Sequence, residues 1–488
     1  MAVLKKYTDS MHIPEIRYRS PYWQCFMMGL CVGFSAGIYG AVNLLGAGGG
    51  RPDSAQVVQI VNATLCGVWF FSACFGGSVL NLLGPALTMS IGILTYIVYL
   101  GSLWYFDEVG KRGYPIASGV IIGIGAGFIY ITAGYINLAY PEEKEKGLYT
   151  TTTLNLQYFG FAVGGLIPLI INRNTLEAGA GSPRAVYIAL IIVMFVAAIV
   201  ALFLLPPQKL RRDDGSIVAV DPPRSAWVEL KSNLLVFTDW KLMIMVPCFL
   251  PSECYLVYAG SVNAFHNSLR ARSLLSFLAV TVQIPCGLGL QWILDNPRWS
   301  RRKRTLKGLF IVSVFLIGAW VWEIIRVRNY NRHDPAKTPL DWNEPGFGPI
   351  CILFLLTWIS SSLWQYITLY YLGALTNAPV KSAHYAGVFR GFLGAGEAIC
   401  FGLDSIEVPY IKEAGTIFAF YIAGIVAFAY LGWYHIEETN YFKEEDDGVV
   451  VPNHILRETG REIGMAEELP NTENKDPSEV EKTVVQDQ

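Results

Sequence analysis

Apolar residues gather along this chain in long blocks, without the short amphipathic stripes of a soluble protein. A block of roughly 20 apolar residues spans the hydrocarbon layer as an α-helix, which satisfies its own backbone hydrogen bonds there. The pattern predicts about twelve such spans. In order they lie near Tyr22 to Leu45, Gln56 to Leu80, Ala86 to Tyr105, Tyr114 to Leu138, Leu148 to Ile171, Ala185 to Leu205, Leu242 to Phe265, Leu274 to Leu294, Leu306 to Ile325, Gly348 to Tyr371, Ser382 to Phe401 and Gly415 to Ile436. A polar stretch with Pro206-Pro207 and Pro222-Pro223 separates six spans from six. The expected fold is an all-α polytopic membrane protein in two six-helix halves. Residues 1–21 form an N-terminal segment, 22–205 the first bundle, 206–241 a linker, 242–436 the second bundle and 437–488 a tail. The third, sixth, ninth and twelfth spans are mainly apolar and suit lipid. The first, fifth, seventh, tenth and eleventh carry the intramembrane polar residues and suit a cavity.

Composition agrees, with 53% hydrophobic and 16% charged residues. The first span is too long for a signal-peptide core and is expected to remain as an anchor. Loops assigned alternately from a cytosolic N-terminus put 24 Lys/Arg inside and 12 outside, so the positive-inside rule predicts both termini in the cytosol. The net charge of −2 divides unevenly: from Glu437 onward there are 15 acidic and 5 basic residues. A polar, acidic, aromatic-poor segment such as Asp446 to Gln488 buries too little apolar surface to fold alone, and is expected to be disordered. It is either a solvated tail or a trafficking and docking segment. All nine cysteines fall inside spans and read as small core residues. The sequon Asn62-Ala63-Thr64 lies within the second span, where it is unusable.

Charges inside the spans carry the candidate chemistry, because an ionisable group at that depth needs a partner, a cavity or a mechanism. Arg390 and Glu397 lie in the eleventh span and Glu253 in the seventh. Arg390 and Glu397 share a helical face but are separated by about 10.5 Å of rise, too far for direct pairing. On continuous helices the depths are about 12 Å for Arg390, 16 Å for Glu253 and 22 Å for Glu397. Glu253 can therefore pair with either. It reads as a coupling carboxylate, a structural ion-paired or hydrogen-bonded group, or a group exposed to a water-filled vestibule; Arg390 reads as a structural ion pair or an anion clamp. The tenth span carries Trp358, Ser360, Ser361, Ser362, Trp364, Gln365 and Tyr366, which suit a pathway lining or plain packing. Asn43, Asn137, Asn155, Gln157, Tyr258 and Asn263 are further candidates. Glu323 and Asp404 lie near span ends and are expected to reach the interface.

Other chemistries are disfavoured. The glycine run Gly46 to Gly50 is not followed by Gly-Lys-Ser/Thr and leaves a membrane span instead of a strand, so it is no phosphate loop. The six histidines lack paired ligand spacing and no nucleophile–base constellation is legible, so neither metal, cofactor, nucleic acid nor an enzyme is expected. Small residues recur every four positions at Gly29, Gly33 and Gly37, at Gly119, Gly123 and Gly127, at Gly160 and Gly164, and at Gly387 and Gly391. That spacing lets helices approach closely.

Two loops resemble the signature loop of the major facilitator superfamily, Gly-x-x-x-Asp-x-x-Gly-Arg-Lys. The first runs from Gly77 through Asn81 to Gly84-Pro85, with Asn81 where the acid stands. The second runs from Gly289 to Asp295, followed by Arg298, Arg301, Arg302, Lys303 and Arg304. The segments Asn43 to Gly50, Tyr140 to Gly147, Gly84-Pro85 and Tyr385 to Gly391 resemble the Unc-ninety-three-type branch of that superfamily, in its fungal form, over about residues 20 to 436. The resemblance implies a twelve-helix facilitator-like protein in which Gly77, Asn81, Gly84, Asp295, Arg301 and Arg302 belong to loops that latch the halves. It leaves two functions open. One is a transporter of a small solute or ion; the other is a non-transporting regulator or escort of another membrane protein.

Overall fold

The computed structural model describes residues 16–40, 54–172, 184–213, 215–218, 226–332, 339–443, 449–452 and 455–456. Asn43, the glycine run Gly46 to Gly50 and most of the acidic tail lie outside the described residues. Among the described residues the chain is helical, apart from two isolated bridges, Arg211 with Ile217 and Asn267 with Leu340.

Helix α1 (Pro21–Val32) opens on Ser20, whose hydroxyl accepts from the Trp23 amide, with proline in the first turn where no N–H is needed. It runs on into a π-helical turn at Gly33–Gly37. Packing is close at this turn: a Cβ on Gly33 would lie 2.4 Å from the Leu156 carbonyl, and one on Gly160 2.0 Å from that of Gly33. Helices α2 (Ser54–Val109), α3 (Gly113–Ala139), α4 (Lys146–Asn172) and α5 (Arg184–Ala201) complete the first half. The linker contributes α6 (Ala226–Val236). In the second half, α7 (Trp240–Met243), α8 (Val246–Phe249) and α9 (Cys254–His266) precede α10 (Leu269–Leu294), α11 (Arg301–Val327), α12 (Phe347–Leu375), α13 (Pro379–Ser405) and α14 (Tyr410–Tyr434). Seven stretches are long and apolar enough to cross a membrane; one of them, Val57–Val109, has 53 residues, about twice what one crossing needs. With the first, fifth, sixth and seventh spans this is consistent with twelve crossings. Exposed apolar side chains such as Ile192 and Phe195 on α5, Phe310 and Phe315 on α11 and Val426 on α14 give the bundle its lipid-facing surface.

Three expectations need correction. The stretch Gly77 to Pro85 is not a loop: helix α2 continues to Leu83, breaks at Gly84 alone (φ 76°, ψ 169°) and resumes with Pro85. Left-handed φ suits glycine, and proline supplies a first residue that needs no hydrogen-bond donor. The seventh span is not one helix either. Pro247 and Pro251 lack backbone donors, and the segment divides into α7, α8, a 3₁₀ turn at Leu250–Ser252 and α9, with Glu253 between the last two at φ −125°, ψ 0°. Finally, Glu323 and Asp404 do not reach outward. Arg326 donates twice to Glu323, at 2.6 and 2.9 Å, and Tyr258 once, at 3.0 Å. Arg332 bridges Asp404 at 2.7 Å and Glu413 at 2.5 Å. Arg326 in the last turn of α11 and Arg332 five residues beyond its end supply the counter-charge that makes burial tolerable.

Candidate functional site

The intramembrane charges meet at the seam between the halves. Helix α13 of the second half lies directly on α2 of the first, and glycine makes that possible: a Cβ on Gly387 would stand 2.6 Å from the Ala73 carbonyl, and one on Gly391 2.5 Å from Cys74 Sγ. On its other side α13 receives the broken seventh segment, where a Cβ on Gly396 would be 2.0 Å from the Leu250 carbonyl. Glu253 is thereby delivered, at the break, to Arg390. The guanidinium Nη1 donates to Glu253 Oε1 at 3.3 Å, and both residues are buried. The same guanidinium sits 4.4 Å from the ring centroid of Tyr130 on α3 and 5.0 Å from that of Phe389. A desolvated cation over an aromatic face gains about 2 kcal/mol or more. Tyr130 is held by stacking on Trp69 (5.1 Å) and by a 3.0 Å hydrogen bond from Gln157. One side chain of the second half is thus clamped by both halves.

Glu397 stands apart from this pair, as the helical rise requires. Its Oε2 accepts from the Cys66 thiol of α2 at 3.5 Å, and no cation lies within ion-pair distance among the described residues. Gln365 of α12 flanks Glu253, donating to the Ser252 carbonyl at 3.2 Å. Other candidates serve elsewhere. Trp364 donates to the Cys248 carbonyl at 2.9 Å and packs on Tyr421 and Phe428, inside the second half. Tyr258 belongs to the Glu323 cluster. Asn137 accepts from Thr153 at 2.7 Å within the first half, and Asn263 from Asn267 at 2.8 Å within the second. Asn155 crosses the seam, accepting from Tyr366 at 2.8 Å and donating to the Ile284 carbonyl at 3.3 Å. Tyr158 and Tyr255 cross it too, hydroxyl to hydroxyl at 3.3 Å.

A second polar centre closes one face of the seam. Lys146, in the first turn of α4, points its ammonium at the C-terminal end of α12, donating to the carbonyls of Gly373 (2.5 Å) and Thr376 (2.9 Å) and to Asn377 Oδ1 (2.7 Å). Helix C-termini present free carbonyls and negative potential, so a lysine there is well placed. Beside it Glu143 Oε1 accepts from Arg301 (2.9 Å), Asn377 (2.6 Å) and the Asn440 amide (2.8 Å). Burial pushes the Glu143 carboxyl up, but Arg301, Lys146 and these donors outweigh it and hold it below its ordinary value. Asp295 caps α4 from the other half, accepting from the Gly147 amide at 3.0 Å. Burial raises its carboxyl to about 7 against the pull of Arg304 and the backbone donors. Burial and Glu142 push Glu145 up to about 8.

The loop residues singled out in the sequence divide accordingly. Asp295 and Arg301 belong to this closure. Arg302 lies over the Trp433 ring at 4.8 Å, Gly77 leaves room for His384, and Gly84 forms the kink of α2 with Asn81 one turn before it. Glu143 and Lys146 went unrecognised: they stand in the Tyr140 to Gly147 segment, which was singled out for its family resemblance and not for its charges. Also missed was α6, which packs on α2 and α13 and whose buried Asn233 donates to the Cys74 carbonyl at 2.7 Å.

Two helical bundles meeting over a charged seam, with polar closure on one face, define a multi-pass membrane protein of the major facilitator fold. The chain resembles in structure the major facilitator superfamily proton:xylose symporter XylE, with a TM-score of 0.59 over 86% of this chain and 96% of that one, at 12% identity. In sequence it is 32% identical to an uncharacterised membrane protein of Schizosaccharomyces pombe, over 79% of this chain and 78% of the relative. It is 27% identical to UNC93-like protein 1 of Arabidopsis thaliana, over 81% and 86%. The family described as ion channel regulatory protein UNC-93 matches residues 60–274. The chain belongs to the UNC-93 family.

Proposed function

We propose that this protein moves a small solute or ion across its membrane by alternating access, the two halves rocking about the seam that holds Glu253, Arg390 and Glu397. The observation that supports this best is the Arg390–Glu253 pair. It forms at a break in a membrane-crossing segment, where backbone groups are freed, and it touches both halves through Tyr130 and Phe389. Irregular backbone at membrane depth is tolerated where it lines a cavity or is buried in protein, and transporters use such breaks for binding. In this reading the Glu143–Lys146–Arg301 network is the gate of one face, expected to be cytosolic with both termini. The test is flux by purified protein in sealed vesicles at two pH values. Uptake of a tested solute that depends on pH, and loses that dependence in Glu253→Gln, supports the reading. Retained cellular function with no flux for any ion, sugar, amino acid or metabolite overturns it.

A second reading is favoured by the description of the matching family, ion channel regulatory protein. Here the same bundle binds another membrane protein and the acidic tail directs trafficking. Deleting Asp446 to Gln488 then mislocalises the partner, and co-purification recovers it.

A further inference from the structure

Helix α6 turns its apolar side outward. Trp227, Val228, Leu234 and Leu235 are exposed, Trp227 at 74%, and Lys231 is exposed among them. Positions 227, 228, 231, 234 and 235 recur at three- and four-residue intervals, so they form one stripe. The opposite side is spent inside the protein: Asn233 and Val236 are buried, and Asn233 donates to the Cys74 carbonyl of α2 at 2.7 Å. A surface helix in a water-exposed linker has the reverse arrangement, with polar residues outward. Four large apolar side chains in one stripe need a cover.

The place of the helix says what the cover is. Ala73, next to Cys74, faces Gly387, eight residues into α13 and so about 12 Å from its start. With 27 residues α13 is about 40 Å long, roughly 5 Å longer at each end than the hydrocarbon layer. Helix α6 therefore meets α2 about 7 Å inside the hydrocarbon boundary, within the 5–10 Å at which amphipathic interfacial helices seat. Its eleven residues are too few to cross. On α2, Phe71 and Phe75 flank Cys74 in sequence and are exposed, as are Leu82 and Leu83 further along, so the α6 stripe continues an apolar surface of a membrane-crossing helix. Trp227 near one end of α6 and exposed Trp240 just past the other are residues that favour the headgroup level. A lysine in such a stripe buries its stem and raises its ammonium to the phosphates.

We propose that α6 is a membrane-surface helix whose outer stripe, Trp227, Val228, Leu234 and Leu235, is seated in the phospholipid leaflet on the side of the Glu143–Lys146–Arg301 closure, with Lys231 at the phosphates. Its inner side joins the helices of the seam: α2 through Asn233, and α13 through the bond from Tyr385 to Asp239, three residues past the end of α6. The leaflet thus bears on both halves through one short helix. This holds whether the bundle transports or regulates.

The test uses the full-length chain in phosphatidylcholine nanodiscs, with a bimane fluorophore on Leu234→Cys and the two half-buried cysteines, Cys286 and Cys351, replaced by serine. Trp227→Cys carries the label in a second variant, at the other end of the stripe, should the first fail to fold. Gln208→Cys, an exposed position elsewhere in the linker, is the water-facing reference. Lipids brominated near the headgroup end of the acyl chain are expected to quench both stripe labels more strongly than lipids brominated near the methyl end. Iodide in the buffer is expected to quench them severalfold less than it quenches the reference. Lys231→Leu, which removes the ammonium from the phosphates, shifts the quenching towards the deeper bromines; an unchanged ratio overturns the role given to Lys231. Iodide quenching of the stripe equal to that of the reference, with no effect of the bromolipids, overturns the proposal. A stripe reached by neither quencher overturns it too, because protein then covers the face. Iodide access gained on deleting Asp446 to Gln488 would name the acidic tail as that cover.

Discussion

The two polar centres of this seam are built from similar residues and are satisfied very differently. At the closure, every charged group of the Glu143–Lys146–Arg301 set has several partners: Lys146 spends its three donors on three acceptors, and one Glu143 oxygen collects three donors. At the centre, Arg390 makes one 3.3 Å bond to a side chain and leaves Nε without a partner among the described residues, while Glu397 has a thiol. A fully satisfied polar network rigidifies and specifies one arrangement, whereas a partly satisfied one costs stability wherever it is kept. On the transport reading, the contrast separates charges that hold the halves together from charges kept for use.

The sharpest way to break that contrast is at the centre. Arg390→Leu leaves Glu253 buried without its counter-charge and is expected to lower stability by about 3–5 kcal/mol. Adding Glu253→Gln to the same chain should restore most of it. Thermal unfolding in detergent reads both, and a double variant as unstable as the single one would show that Arg390 acts through its aromatic neighbours instead. A smaller loss, about 1.5–3 kcal/mol, is expected for Lys146→Met, since the α12 carbonyls then lose a charged donor. Its signature is positional: a Thr376→Cys reporter should react faster with a membrane-impermeant maleimide when Lys146 is replaced. An unchanged labelling rate would remove Lys146 from the closure.

The smallest effect is on pH. Glu145 and Asp295 have carboxyls raised in the folded protein, to about 8 and about 7. The folded state therefore holds protons that the unfolded state has released, and the stability they contribute is present at low pH and lost as pH rises through 7 to 8. Glu143, lowered, works in the opposite sense and gives up its contribution only at acid pH. Melting temperature is expected to decline between pH 6 and 9, and Glu145→Gln should flatten the decline. A variant that melts with the original slope would place the titration elsewhere.

Much of this fold is legible in the chain because membrane burial writes itself locally. Twenty apolar residues announce a span wherever they occur, and Gly84-Pro85 marks a break because both residues act on their own backbone. The failures have a common cause. Pro247 and Pro251 were in plain view, but how far a proline interrupts a helix depends on neighbours that re-satisfy the freed carbonyls, here Tyr421 and Gln365 donating to Pro251 and Ser252 from more than 100 residues away. Glu143 and Lys146 gave no sign of their role because their partners lie 158 to 297 residues along the chain, or at the end of another helix. Arg390 and Glu253 were exceptions only because a charge in an apolar run is conspicuous alone. Trp69 and Tyr130, which complete their setting, are two aromatics among many.

The linker gains a mechanical meaning from Asn233. By composition it is a slack tether of some 35 residues, yet α6 is pinned to α2 before the second half begins, and Asp239 is bonded in turn by Tyr385 of α13. The connection from α6 to the second half is therefore the three residues Phe237 to Asp239, whose amides bond back to the last turn of α6. A connection that short sets a high effective concentration of one half for the other. Nicking the chain upstream of α6 should leave the two bundles tethered as tightly as before.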